Sequence, residues 1–161
     1  MKRVIKSSVS EDKSIGPQYH GSDNPNLSVD SIEIENRNFS EPGFHCGTYE
    51  QAVNRITTKY SKGYLYEVVI HPRNILYLAK DLDMDWGNPL QYIKEAINPN
   101  DTLLSYQSKR MWSSDIVPML LDSGYDCVCY PNAIEGPGNS YIVLDTAIVK
   151  SMKFVEEVSA L

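Results

Sequence analysis

The apolar runs of this chain are short and end in turn residues. The longest strand-like one, Tyr64-Leu65-Tyr66-Glu67-Val68-Val69-Ile70, is β-branched and aromatic and stops at His71-Pro72. A second short strand is expected over Asn74 to Leu78, and two more over Asp126 to Tyr130 and Ser140 to Leu144, with a final one over Ile148 to Val155. Helical spacing is confined to the middle of the chain. Thr48 with Gln51 three residues on forms a capping box, and Ala52, Val53, Ile56 and Tyr60 recur on one face, which predicts a helix over 49–60. Pro89 to Ile97 reads as a short helix, and Trp112 to Leu121 as another, kinked or interrupted at Pro118 and stopped at Gly124. Strands outnumber helices, and the helices cluster between Thr48 and Gly124. The pattern predicts an α+β domain with a mostly antiparallel, split sheet and short helices.

At 161 residues the chain suits one globular domain. Residues 1–17 are expected to be a flexible or loosely packed lead-in, and residues 18–161 the domain. Residues 22–42, with only Val29, Ile32, Ile34 and Phe39 as anchors, read as an irregular segment folding over a site. No apolar run approaches the length that crosses a bilayer, and the cations of the first residues are followed by Glu11 and Asp12 rather than by a signal-like apolar stretch, so no membrane partner is expected. Neither a Rossmann glycine fingerprint nor a phosphate loop is present. A net charge of −6 gives no reason to start from a nucleic-acid backbone as partner. Cys46, Cys127 and Cys129 make no zinc set with His20, His45 and His71 and are expected to be buried free thiols, as in a reducing compartment.

Three segments concentrate polar chemistry: Tyr19-His20-Gly21-Ser22, Gly43-Phe44-His45-Cys46-Gly47-Thr48 running into the helix, and Asn132-Ala133-Ile134-Glu135-Gly136-Pro137-Gly138 ahead of Ser140-Tyr141-Ile142-Val143. Taken alone, each has a plain structural explanation. His20-Gly21 could be a strand end, Phe44 a core residue and Glu135 a surface-loop carboxylate. Arg37, Arg55 and Lys59 read either as a solvated face or as neutralisers of a pyrophosphate, and Trp86 and Trp112 read as core plugs. A Ser140–His–Asp126 triad lacks the GxSxG elbow, and Cys46 lacks an activator.

In order and spacing, the three segments together resemble the ADP-ribosyltransferase fold, in the branch whose motif residues are a histidine, an aromatic and a glutamate and which includes small bacterial and phage-borne members. The resemblance spans about Gln18 to Lys150. It implies NAD as substrate, with His20 holding a ribose hydroxyl and the main chain of Gly21 pairing with the nicotinamide carboxamide beside Ser22. Phe44, His45 or Tyr49 would supply the flat wall against nicotinamide. Glu135, in an Asn-x-x-Glu element with Asn132, would be the catalytic carboxylate, and Ser140 would line the site. Ser140 stands where polymer-forming relatives carry a glutamate before a Tyr-Ile-Val strand, so the implied reaction is single transfer of ADP-ribose. The implied acceptor is a macromolecule, a protein side chain in preference to a nucleic-acid group, and the implied setting is the cytoplasm of a bacterial or phage-infected cell. NAD hydrolysis, or a catalytically silent binding module, are the alternatives.

Overall fold

In the computed structural model, residues 4–8, 14–32, 43–78 and 113–160 are described here. The expected helix at Pro89–Ile97, and Arg37, Trp86 and Trp112, lie outside them. The described strands are β1 (Val4–Ser8), β2 (Ile15–Ser22), β3 (Phe44–Cys46), β4 (Lys62–Ile70), β5 (Asn74–Leu78), β6 (Cys127–Pro131), β7 (Asn139–Val143) and β8 (Val149–Ser159). The described helices are α1 (Tyr49–Lys59) and α2 (Ser113–Asp122), with 3₁₀ turns at Val29–Ser31 and Thr146–Ile148.

The strands form two sheets, β1-β5-β6-β7-β3 and β2-β4-β8. Among the described strands every pairing is antiparallel except β5 with β6. This is a mixed α+β arrangement with mostly antiparallel strands and short helices, as the spacing of the apolar runs predicts. The lead-in expected over residues 1–17 differs from the structure: Val4–Ser8 pairs along the whole of β5, and Ile15 already pairs with Ile70. The polar composition of this stretch concealed a strand whose partner lies some seventy residues away (Val4 opposite Leu78).

Period-2 alternation decides which layer each side chain enters. On β6, Cys127 and Cys129 face the space between the sheets, while Val128 and Tyr130 face α2, so all four are buried. On β4, Val68 and Ile70 pack against the five-stranded sheet, whereas Leu65 turns to the other side and packs under Ala52 and Ile56 of α1. Ile56, Leu65, Val68 and Ile70 are fully buried, each worth about 2 kcal/mol of apolar transfer. Helix α1 is thereby clamped over the three-stranded sheet, and α2 covers the outer face of the five-stranded one through Val117 and Leu120. Pro118 lies on the exposed side of α2, which continues through it to Asp122.

Among the described residues a backbone bridge joins the two sheets. Tyr19 N–H donates to Gly47 O (2.7 Å) and Gly47 N–H to Tyr19 O (2.9 Å), joining the middle of β2 to the residue after β3. Beyond that bridge β2 and β3 diverge, and the fork between them holds the site.

Candidate functional site

Alternation along β2 aims its backbone into the fork. In an antiparallel strand both polar groups of a residue point to one edge and those of its neighbours to the other. Tyr19 turns its pair toward Gly47, so Gly21, two residues on, turns its N–H and C=O to the same edge. There the chain borders a cavity of about 510 Å³ walled by His20, Gly21, Phe44, His45, Arg55 and Lys59 among others. That volume lies within the usual span for small-molecule sites, about 300–1,000 Å³. Gly21 must be glycine for a second reason, since a Cβ there would lie 2.7 Å from both Ala52 O and Ile56 Cγ1 of α1.

His20 is half-buried, its ring against Phe44 with centroids 4.2 Å apart. Nδ1 lies 2.5 Å from His45 O. A carbonyl only accepts, so Nδ1 carries the proton and the neutral ring keeps Nε2 as an acceptor. Burial, which outweighs the bond to His45, holds the imidazole neutral, and the nearby Arg55 guanidinium adds to it; the pKa is lowered from 6.5 to about 4. The unfolded chain therefore takes up this proton first on acidification. The stability His20 contributes is complete above pH 6.5 and is lost as pH falls toward 4, by about 3 kcal/mol. Asparagine keeps a donor near the Nδ1 position but does not titrate. His20→Asn is expected to flatten this segment of stability against pH, measured by urea unfolding between pH 4 and 7; an unchanged slope would remove the assignment.

Glu135 reaches the same fork from the loop between β6 and β7. A smaller hollow shares His20, Gly21, His45 and Arg55 with the larger cavity and adds Glu135, Tyr130 and Ser140. Histidine 20 and carboxylate 135 thus border one concave surface. Oε1 of Glu135 pairs with Arg55 Nη1 at 2.9 Å, both side chains four-fifths covered, and Oε2 accepts from Asn132 Nδ2 at 2.9 Å. Asn54 Nδ2 donates to the backbone oxygen of Glu135 at 2.6 Å.

Helix α1 supplies most of this frame because its residues fan around the axis at about 100° each. Ala52, Arg55 and Lys59 look into the fork, while Gln51 and Asn54 look at the Glu135 loop. Tyr49 sits roughly 120° round the helix from Arg55. It borders neither cavity; half-exposed, it packs edge-on against Tyr19 and donates its hydroxyl to Glu156 of β8. Of the three alternatives for the flat wall, Phe44, His45 and Tyr49, the last faces β8 instead of the fork. Phe44 and His45 both border the larger cavity, Phe44 as a mostly buried support beneath His20 and His45 beside the Tyr130 hydroxyl (3.3 Å from Nδ1).

Two other expected contacts change character. Asn132 is buried and borders neither cavity: its amide serves Glu135 and Ser140. Ser140 is buried as well, donating to Gln51 Oε1 and accepting from Asn132 Nδ2, each at 2.9 Å. Ser22 borders the larger cavity, and its Oγ accepts from Asn24 N–H. The hydrolase triad does not form, since the Asp126 carboxylate accepts from the backbone N–H groups of Arg73 and Asn74. The Cys46 thiol is pushed up to about 12 by burial and is no nucleophile. All three cysteines are free and buried, as expected.

In the sequence Gln51 shows itself only as a helix cap and Arg55 only as a solvated or pyrophosphate-facing cation. Their actual partners, Asn132 to Gly138 and Glu135, lie some eighty residues on (Arg55 to Glu135) and leave no local signal. No helix among the described residues is long and apolar enough to cross a membrane. No protein-family model matches this chain, and no curated protein matches it.

Proposed function

We propose that the chain has an ADP-ribosyltransferase-like fold and transfers a single ADP-ribose unit from NAD to a macromolecular acceptor, a protein side chain. The observation that carries this reading is the convergence of His20, the outward backbone of Gly21 and Glu135 on one fork between two sheets. Each group suits its role chemically. Unprotonated Nε2 of His20 accepts from a ribose hydroxyl. Gly21 offers a donor and an acceptor side by side, the complement of a carboxamide. The Glu135 carboxylate stabilises positive charge developing on the sugar more than it stabilises the ground state.

When bound, NAD supplies a ribose whose bond to nicotinamide breaks with its electron pair leaving on the base. The acceptor nucleophile forms the new bond at that carbon and gives up its proton. Arg55 holds one oxygen of Glu135 and Asn132 the other, which fixes the carboxylate plane before substrate arrives. Ser140, the residue before Tyr141, is committed to Gln51 and Asn132, and no carboxylate occupies that position to activate a further ADP-ribose hydroxyl. This favours one transfer over chain growth. The acidic balance of the chain favours a protein over a nucleic-acid acceptor, and three free thiols agree with the cytoplasm of a bacterial or phage-infected cell.

The deciding measurement is a time course of nicotinamide released from NAD, with and without cell extract, followed by mapping of label from adenine-labelled NAD. Release that depends on extract, with label on protein, is the expected result. Release without transfer would make the chain an NAD glycohydrolase. Saturable binding of NAD with no release at all would make it a silent binding module.

A further inference from the structure

The side chain of Gln51 is buried at the meeting point of the two sheets and spends its amide nitrogen on the loop that carries Glu135. Its Nε2 donates to Gly136 O (3.0 Å) and Gly138 O (2.9 Å), and also lies 3.3 Å from Asn132 O. Its Oε1 accepts from Thr48 N–H and from Ser140 Oγ, each at 2.9 Å. Donors and acceptors then alternate without conflict to the carboxylate. The Ser140 hydroxyl, donating to Gln51, accepts one proton of the Asn132 amide, and the other proton of that amide goes to Glu135 Oε2. The surroundings are cut to this glutamine: a Cβ on Gly47 would lie 2.2 Å from its Oε1, and Gly136 and Gly138 present their carbonyls from positive φ (152° and 110°).

We propose that Gln51 is a positioning residue that sets the place of the Glu135 carboxylate through the loop 132–138, an inference that rests on Glu135 being the catalytic carboxylate. Within itself the loop makes two backbone bonds, Asn132 N–H to Gly138 O (3.1 Å) and Gly136 N–H to Asn132 O (3.2 Å), while Gln51 ties it to α1; a displacement of about 1 Å at a reacting group costs on the order of 10²-fold in rate. Glutamine is the side chain that fits, because it alone offers an amide donor toward carbonyls and an oxygen toward Thr48 and Ser140 at this length. Glutamate at 51 would place an oxygen against the carbonyls of Gly136 and Gly138.

The test uses Gln51→Glu, Gln51→Leu, Glu135→Gln and the double variant Gln51→Leu/Glu135→Gln, with nicotinamide release and NAD binding measured on each full-length protein. Gln51→Leu is expected to lower kcat about 100-fold while the Kd for NAD moves less than about threefold. In the Glu135→Gln background the same substitution should cost nothing more, because Gln51 acts through the carboxylate. Gln51→Glu should recover relative to wild type as pH falls from 8 to 6, since a protonated carboxyl regains one donor. A loss that persists in the Glu135→Gln background, or wild-type kcat in both Gln51 variants, overturns the positioning role while leaving Glu135 in place. Wild-type release by Glu135→Gln overturns the reading of Glu135 itself, and the positioning role with it. If Gln51→Leu does not fold, the pH response of Gln51→Glu decides: a ratio to wild type that stays flat refutes the proposal.

Discussion

Replacing Glu135 with glutamine is expected to lower nicotinamide release by about 10²–10³-fold, the usual size of losing one group that stabilises transition-state charge. The substitution keeps the shape of the side chain and removes its charge, so the ion pair to Arg55 is lost while Gln51 continues to hold the loop through Gly136 and Gly138. The cavity walls at His20, Gly21 and Phe44 are untouched. NAD should therefore still raise the thermal midpoint of the variant, by mass action on the folded state. Release rate and NAD-dependent shift are the paired measurements. A variant releasing nicotinamide within twofold of wild type would leave Glu135 a loop carboxylate with no part in the chemistry.

A large loss of stability is expected from an added side chain at Gly47. Its φ is ordinary, so the restriction is spatial: an added Cβ would lie 2.2 Å from Gln51 Oε1 and 2.7 Å from Ser140 Oγ, closer than non-bonded atoms approach. Gly47 is also pinned on its other side by both hydrogen bonds to Tyr19 and cannot step back without parting the sheets. Gly47→Ala should displace the glutamine and leave several buried polar groups unpaired, costing about 3 kcal/mol or more. For a chain of this size that lowers the midpoint by roughly 10 °C in a thermal unfolding scan. The cost should shrink in a Gln51→Ala background, where the clashing atom is gone. A midpoint within a degree of wild type would show that the space between the sheets is not closed by this glutamine.

How far the sequence led differs from residue to residue. The strand runs and the capped helix were legible because their signals are local: Thr48 accepts from Gln51 N–H and Gln51 returns its oxygen to Thr48 N–H, as the spacing suggested. Bounds shifted by only a residue or two in β6 and β7, where turn residues fix them. The meeting of His20 with Glu135 was readable only through the order of three short motifs. What those motifs concealed was the division of labour. Asn132 reads as a ligand contact because it is polar and lies beside Glu135, yet burial gives it to the frame behind; Ser140, also buried, still borders the smaller hollow. Tyr49 stood beside Phe44 and His45 as an alternative for the wall because it follows the second motif, and helix rotation carries it to β8. β1 was missed because a polar edge strand is specified by its partner, not by its own composition.

The thiols carry a consequence of their own. Burial pushes Cys46 up to about 12 and Cys129 to about 11, and raises Cys127 well above its ordinary value, all three within the layer between the sheets. Alkylating reagents act on the thiolate, so the native fold is chemically silent toward them at neutral pH. A cysteine introduced at the exposed Ile134, next to Glu135, can accordingly carry a spectroscopic label against a dark background, and the same three sulfurs, packed in the layer between the sheets, report the opening of that layer.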